Sequence, residues 1–228
     1  MDVMECIHTR RSIRKYQDIP VEFEKVGRIV EAGMIVPTAG NIQDLRFIII
    51  QDKGKRAQIA EASLQQYWME TAPVHIVVCV DIKRGKQFYG MRGERLYSVQ
   101  HSGAAAMSMQ LAAHHFGLGS CWVGAFDEEA IKSICGIPEY ARPEAIITVG
   151  YPDEIPPRPP KYILETFTYI ERFGNRIRTF PLIIAEPSPL VEKAVKDTIH
   201  AIDEGTNTIV GKGVEKGKEL WKRLMKKE

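Results

Sequence analysis

Residues 97–126 read YSVQHSGAAAMSMQLAAHHFGLGSCWVGAF. From Tyr97 to Phe116 the stretch is rich in Ala and Met and apolar on nearly every face, which is typical of a helix buried at the centre of a domain. The sequence Gly117-Leu118-Gly119 ends this helix, and the apolar run at 120–123 predicts a strand. A buried helix that leads directly into a strand predicts a sheet packed against helices.

Further strands and helices alternate on both sides of this central helix. Short apolar runs rich in Val and Ile predict strands at 45–50, 73–80 and 144–149. Apolar residues at helical spacing, or a capping residue before the first turn, predict helices at 2–9, 22–34, 55–69 and 128–135. The pattern predicts a sheet covered by helices and leaves the strand order open.

The composition changes after Gly150. Five prolines between 152 and 160 exclude a helix or a central strand there and predict an extended segment. Residues 162–171 continue as an extended pattern, and residues 188–203 and 214–227 have helical patterns. We therefore expect a main domain over residues 1–175 and a helical extension over residues 176–228.

Composition bounds the class of protein. The chain has 228 residues, 44% of them hydrophobic and 26% charged, which is ordinary for a soluble globular protein. A formal net charge of +2 does not point to nucleic acid or a membrane as the main partner. The N-terminus lacks the pattern of a signal peptide, no apolar run approaches the ~20 residues of a membrane span, and the four cysteines lack metal-ligand spacing. We expect a cytoplasmic protein with no metal site.

A basic cluster at residues 10–15 is the first candidate site. It holds Arg10, Arg11, Arg14 and Lys15, with Ser12 among them. Arginine forks pair bidentately with phosphate oxygens, and a serine hydroxyl adds a hydrogen bond. Taken alone, such a run is more often a solvated surface patch.

Three other segments carry polar groups or glycines that suit a ligand. The loop at 37–43 offers Asn41 and Gln43, whose amides both donate and accept, although a solvated turn after a helix fits as well. The turn at 117–126 fails as a dinucleotide fingerprint because Trp122 replaces the third glycine, but Gly124 lets backbone approach a planar ring closely. The cations of the proline segment, Arg158 and Lys161, could reach a distant phosphate or could stay in water.

Several of these segments, in this order, resemble the FMN-dependent nitroreductase family over roughly residues 1–175. The matching motifs are RRSIRKY, PTAGNIQ, APVHIVV, SGAAAMSMQLAAHHFGLGSCWVGAF, GIPEYARPEAIITVGYP and the proline segment that carries Arg158. The resemblance implies an α+β fold: a mixed sheet sandwiched by helices, in an intertwined homodimer with an exchanged C-terminal arm. It also implies FMN bound between the two subunits and NADH or NADPH as the hydride donor.

The resemblance also assigns roles to single residues. Arg10, Ser12 and Arg14 are similar to contacts of the flavin phosphate and ring, with Arg11 alongside. The segment that the other subunit contributes in the family is similar to Pro37, Thr38, Asn41 and Gln43. Gln66 and Gly124 match residues that face the flavin. Arg158 matches a phosphate ligand that follows the sheet, and Lys161 is a further candidate.

The family's chemistry implies a flavin-centred reaction with no catalytic residue of the protein. A hydride passes from NADH or NADPH through FMN to a small acceptor such as a nitroaromatic or a quinone, by a ping-pong mechanism. Arg14 or Arg10 is the best candidate to stabilise the negative charge of the reduced cofactor.

Two departures from the family pattern affect the pocket. Gln43 is followed by Asp44-Leu45-Arg46 where the family commonly continues with Pro-Trp, and His101 stands where Asp is frequent. An FMN-dependent reductive dehalogenase or a flavin-cleaving enzyme on the same fold is an alternative, and residues 44–46 and 83–97 are where a lid over the ring could differ. A nucleic-acid-binding role of the basic helix at 211–228 is another, although a solvated helix is favoured there.

Overall fold

The structure is a computed structural model that describes residues 1–176. Its helices are α1 (Val3–Thr9), α2 (Phe23–Met34), α3 (Lys53–Ala62), α4 (Ile82–Arg92), α5 (Ser98–His115), α6 (Glu128–Cys135) and α7 (Leu164–Phe167). Its strands are β1 (Leu45–Ile50), β2 (Val74–Asp81), β3 (Gly119–Val123) and β4 (Ala141–Gly150). Short 3₁₀ turns lie at Ala39–Asn41 and Tyr67–Thr71, and a π-helical turn at Gly93–Tyr97 precedes α5.

The four strands form one sheet in the order β1-β2-β4-β3. Every strand pair of this sheet is antiparallel, so the expectation of a mixed sheet was wrong for the named strands. Within residues 1–176, parallel pairing is confined to one isolated bridge between Ser12 and Ser120, because the N-terminal segment runs alongside β3 for too few residues to form a strand. The bridge nevertheless fixes where the N-terminal segment lies.

Helices cover both faces of the sheet, as predicted. Alternate residues of β2 and β4 point to one face, where α2 and α5 complete a core around Ile76, Met109 and Ile147. The opposite residues meet α3 and α6 in a second core around Ile59, Val77 and Ile146. Because both faces are covered, seven of the eight residues of β2 are buried.

The central helix α5 is confirmed as buried. Ala105, Ala106, Met109 and Ala113 have no measurable exposure. Small side chains allow the neighbouring helix to approach closely: a Cβ atom at Gly33 of α2 would meet Met109 at 2.8 Å. The position of α5 against β2, β3 and β4 sets the geometry of the site described below.

Two segments differ from the sequence predictions. The helix expected over residues 55–69 ends at Ala62, because Leu64 and Gln65 adopt positive φ values of 55° and 59°, which no helix accommodates. The region 83–97, which the sequence left without a secondary structure, is helical, and Gly90 kinks it with a φ of 56°.

Contacts within the chain define two compact units, Met1–Arg158 and a second that begins at Pro159. In the second unit residues 164–167 are helical, so the expectation of an extended chain over 162–171 was wrong there. The expected helices at 188–203 and 214–227, and the basic segment 211–228, lie outside the described residues. Within residues 1–176 no helix is long and apolar enough to cross a membrane.

Candidate functional site

The N-terminal basic segment lies against β3. After α1 ends at Thr9, the chain runs extended, and the Ile13 N–H donates to the Ser120 carbonyl at 3.0 Å. Ile13 is buried, and a Cβ atom at Gly119 would meet it at 2.9 Å, so only glycine permits this approach. Tyr16 anchors the far end, where its buried hydroxyl lies 2.7 Å from the Thr148 hydroxyl. The segment is therefore fixed along the edge of the sheet.

The two arginines that begin this segment have different environments. Arg10 is half-buried, and its Nε and Nη1 atoms are buried without a hydrogen-bond partner among residues 1–176. A buried guanidinium without a partner is costly, which makes this position suited to an anion. Arg11 instead donates from Nη1 to the carbonyls of His8 and Arg10, each at 2.9 Å, and so caps the end of α1.

Arg14 is exposed but held in place. Its guanidinium lies over the ring of Trp68, 5.8 Å from the centroid, and its backbone N–H donates to Glu154 at 2.6 Å. Burial raises the pKa of the nearby Cys121 thiol, and the Arg14 charge and the Ser12 hydroxyl partly offset that effect. Arg158, four residues beyond Glu154, is exposed.

Gln66 and Gly124 belong to two neighbouring turns, and Trp68, two residues after Gln66, contacts Arg14 of the basic segment. The Gln66 side chain donates to the Ser63 carbonyl at 2.8 Å and to the Ala125 carbonyl at 3.3 Å, which joins the turn before β2 to the turn after β3. Gly124 is exposed, and a Cβ atom there would meet only Trp122, at 3.7 Å. The space above Gly124 is therefore open to a flat ligand.

The loop at 37–43 lies elsewhere in the same chain. It precedes β1, whereas Ser12 borders β3, and these two edges of the sheet are three strand spacings, about 14 Å, apart. The two positions also lie at opposite ends of the strands, because Leu45 is level with Val80 while Ser120 is level with Val149. One chain therefore does not bring Asn41 and Gln43 to the basic segment. Lys161 belongs to the second unit.

The structure explains both departures from the family pattern. His101 on α5 lies 2.8 Å from the Asp44 carboxylate, so the two unusual residues are partners. The ring also accepts a hydrogen bond from the Ala39 N–H at 2.8 Å. In the sequence Asp44 and His101 stand as two separate departures, and the occurrence of both in one chain was the signal that could have predicted their contact. Trp68 and Glu154, which position Arg14, were not predicted from the sequence either.

Comparison with known proteins agrees with this architecture. The helix-covered antiparallel sheet defines the class, an α+β protein. The chain belongs to the Nitroreductase family, whose family model matches residues 7–67 and 63–151.

Individual relatives are similar over most of their length. A Methanothermobacter thermautotrophicus protein whose name includes NAD(P)H nitroreductase is 37% identical over 160 residues, which cover 68% of this chain and 80% of that protein. The Bacillus subtilis FMN reductase [NAD(P)H] is 27% identical and covers 77% of this chain, with 76% of its own length matched. The structure of an FMN-dependent nitroreductase from Clostridium difficile superposes with a TM-score of 0.63 at 26% identity, over 75% of this chain and all of that one.

Proposed function

We propose that this protein is an FMN-dependent oxidoreductase that transfers a hydride from NADH or NADPH to a small acceptor such as a nitroaromatic or a quinone. The observation that carries the proposal is the half-buried guanidinium of Arg10, whose Nε and Nη1 atoms lack a partner within residues 1–176. The names of the relatives, an FMN reductase and an FMN-dependent nitroreductase, support the choice of FMN over other phosphorylated ligands.

The residues at this corner fit the two ends of FMN. Arg10 would bind the phosphate, since a guanidinium offers paired N–H donors to phosphate oxygens, and Ser12 would add a hydroxyl. Arg158, which is exposed, would contribute a second cation to the phosphate. Gly124 would face the ring, where the open space above its backbone accepts a flat group. The guanidinium donors of Arg10 that lack a partner within residues 1–176 suit the phosphate end of FMN, and the open backbone at Gly124 suits its ring.

Other side chains would orient the cofactor and adjust its electrostatics. When bound, FMN supplies the hydride chemistry, accepting from the nicotinamide and delivering to the acceptor. Arg14, held by Trp68, would place a positive charge beside the part of the cofactor that gains negative charge. Gln66, whose amide N–H groups donate to the Ser63 and Ala125 carbonyls, would present its amide oxygen to the ring. Donor and acceptor would use the same open face in turn, which is a ping-pong mechanism.

The site would need two copies of the chain. Asn41 and Gln43 lie at the corner of the sheet diagonally opposite the basic segment, and their side chains make no hydrogen bond within the described residues. A second copy, related by a two-fold axis, would place its loop 37–43 against the flavin held by Arg10 of the first. We therefore propose a homodimer with two equivalent sites, to which the segment after β4 adds an exchanged arm.

Spectroscopy of the purified protein tests the proposal. The protein is expected to be yellow or to take up added FMN, to bleach with NADH or NADPH under anaerobic conditions, and to regain colour on addition of a nitroaromatic or quinone. Protein that remains colourless with FMN in excess would contradict it. Halogenated phenols among the acceptors test the alternative chemistry: release of halide in place of quinone reduction would replace the proposed acceptor class.

A further inference from the structure

The loop before β1 has an unusual backbone. Gly40, Asn41 and Gln43 all have positive φ values, of 54°, 55° and 50°. Residues with a Cβ atom disfavour this region, so the conformation persists only where surrounding contacts impose it. The Asn41 and Gln43 side chains are exposed and make no hydrogen bond within the described residues. The chain thus holds the loop backbone in a disfavoured shape and leaves its two amide groups available.

His101 holds this loop at two points. Its Nε2 atom accepts a hydrogen bond from the N–H of Ala39, the third residue of the loop, at 2.8 Å. Its Nδ1 atom lies 2.8 Å from the carboxylate of Asp44, the residue directly after the loop. One imidazole, carried by α5, therefore links residues 39 and 44.

The hydrogen bonds allow one protonation state of the ring. The Ala39 N–H can only donate, so Nε2 must carry a lone pair, while a carboxylate accepts, so Nδ1 must carry the proton. Asp44 is 0% exposed and His101 is 5% exposed, so both groups are shielded from bulk solvent. The buried carboxylate thus selects the tautomer that holds Ala39.

Additional contacts fix the loop backbone but not its amide side chains. The Gln43 N–H donates to the Thr38 hydroxyl at 3.1 Å, and Arg84 of α4 donates to the Ile42 carbonyl. The Tyr89 hydroxyl lies against Gly40, where a Cβ atom would collide with it. Every one of these groups belongs to the same chain as the loop.

We propose that Asp44 and His101 are a positioning pair, which pre-organises the loop 37–43 so that Asn41 and Gln43 bind the flavin of the opposite site. This inference rests on the proposed function. Pre-organisation raises affinity because the ordering of the loop is completed before the ligand arrives. Loss of the pair should therefore weaken FMN binding although neither residue contacts the cofactor.

Matched variants of the full-length protein test the pair. His101→Leu removes both hydrogen bonds and is expected to weaken FMN binding about tenfold, measured as the Kd from flavin fluorescence quenching. His101→Gln keeps an acceptor for the Ala39 N–H and is expected to stay within about threefold of wild type. Gln110→Leu is the control, since Gln110 is a buried polar residue of the same helix whose Nε2 atom has no hydrogen-bond partner within residues 1–176, and the Kd of this variant should equal that of wild type.

The tautomer of His101 provides a second test, which is measured on the wild-type protein. Long-range ¹H–¹⁵N spectra of wild-type holoprotein should show His101 neutral with its proton on Nδ1, with the signals assigned by their loss in His101→Gln among the six histidines. A proton on Nε2, or equal Kd values for wild type and His101→Leu, would overturn the inference alone. Wild-type protein that binds no FMN would overturn the proposed function, and this inference with it.

Discussion

The guanidinium of Arg14 lies over the indole ring of Trp68, with the two groups 5.8 Å apart. The contact restrains an otherwise exposed cation, and the hydrogen bond from the Arg14 backbone to Glu154 fixes its Cα position. Trp68 follows Gln66 by two residues in the turn before β2, so one short turn orients two of the side chains proposed to face the flavin. This relationship leads to the first prediction.

Replacing Arg14 with Ala should loosen FMN and slow its reduction by NADH. Loss of a charge-assisted contact is expected to cost about 1.5–3 kcal/mol of cofactor binding. Lys15→Ala is the matched control: Lys15 is the next residue, and it pairs with Asp153 at 2.7 Å. Titration of both apoproteins with FMN, with stopped-flow reduction of the flavin, measures the two effects. Equal FMN affinity in Arg14→Ala and Lys15→Ala would reject the assigned role of Arg14.

Replacing Arg10 with Met should separate stability from binding. The substitution removes two buried donors that lack a partner within residues 1–176, so the free energy of unfolding of the apoprotein should stay the same or rise by about 1 kcal/mol. The same variant should lose about 1.5–3 kcal/mol of FMN binding. Urea unfolding of the apoprotein and FMN titration check the two halves. A destabilised apoprotein with normal FMN affinity would mean that Arg10 has a structural role.

Replacing Gly124 with Val should block the ring without disturbing the fold. A Cβ atom at this position meets only Trp122, at 3.7 Å, so the free energy of unfolding should change by no more than about 0.5 kcal/mol. FMN binding should weaken about tenfold, because the side chain fills the space proposed for the ring. Gly27→Ala, in open space on α2, should raise stability by about 0.5–1 kcal/mol and leave the FMN Kd unchanged. Normal FMN affinity in Gly124→Val would contradict the proposed position of the flavin ring over Gly124.

Hybrid dimers test whether each site is shared between two chains. One chain carries Arg10→Met and the other carries Asn41→Ala with Gln43→Ala, and two affinity tags isolate the mixed dimer. If each flavin contacts both chains, one site of the hybrid receives all the substitutions and the other receives none. FMN titration should then show about one site of wild-type affinity per dimer. Two equally weakened sites, or a monomer in solution, would contradict the shared site.

His75 should make stability depend on pH. Burial lowers its pKa from 6.5 to about 4, so below pH 6.5 the unfolded chain binds a proton that the folded chain does not. Stability contributed by this group is therefore present above pH 6.5 and lost as the pH falls toward 4, by about 3 kcal/mol in total. His75→Gln keeps a donor for the Met69 carbonyl and should flatten this part of the profile. Parallel profiles for the two proteins in urea unfolding would show that His75 does not titrate as described.

The predictions from the sequence held best where a local pattern decides the conformation. The strand at 45–50, the helix after Asp127 and the buried helix after Tyr97 agree with the structure almost to the residue. The helix expected over 55–69 ends early, at Ala62. Its end was not predictable because the two residues with positive φ that follow it, Leu64 and Gln65, are not glycines. The basic cluster was recognised from residue type and spacing alone, but the hydrogen bonds of the structure are needed to distinguish Arg10, whose buried donors lack a partner within residues 1–176, from Arg11, which caps α1.

By itself, the sequence determined the identity of the elements and the family, because hydrophobic periodicity, caps and motif order are properties of neighbouring residues. The tertiary structure alone decided which groups meet. Asp44 and His101 are 57 positions apart, and their contact exists because α5 packs across the sheet beside the start of β1. The diagonal separation of the loop 37–43 from Ser12 likewise follows from the strand order β1-β2-β4-β3, which no local pattern encodes. Both relationships result from the way the helices pack on the sheet. That packing is driven by the burial of both faces of the sheet, which involves the whole domain and not one segment of the sequence.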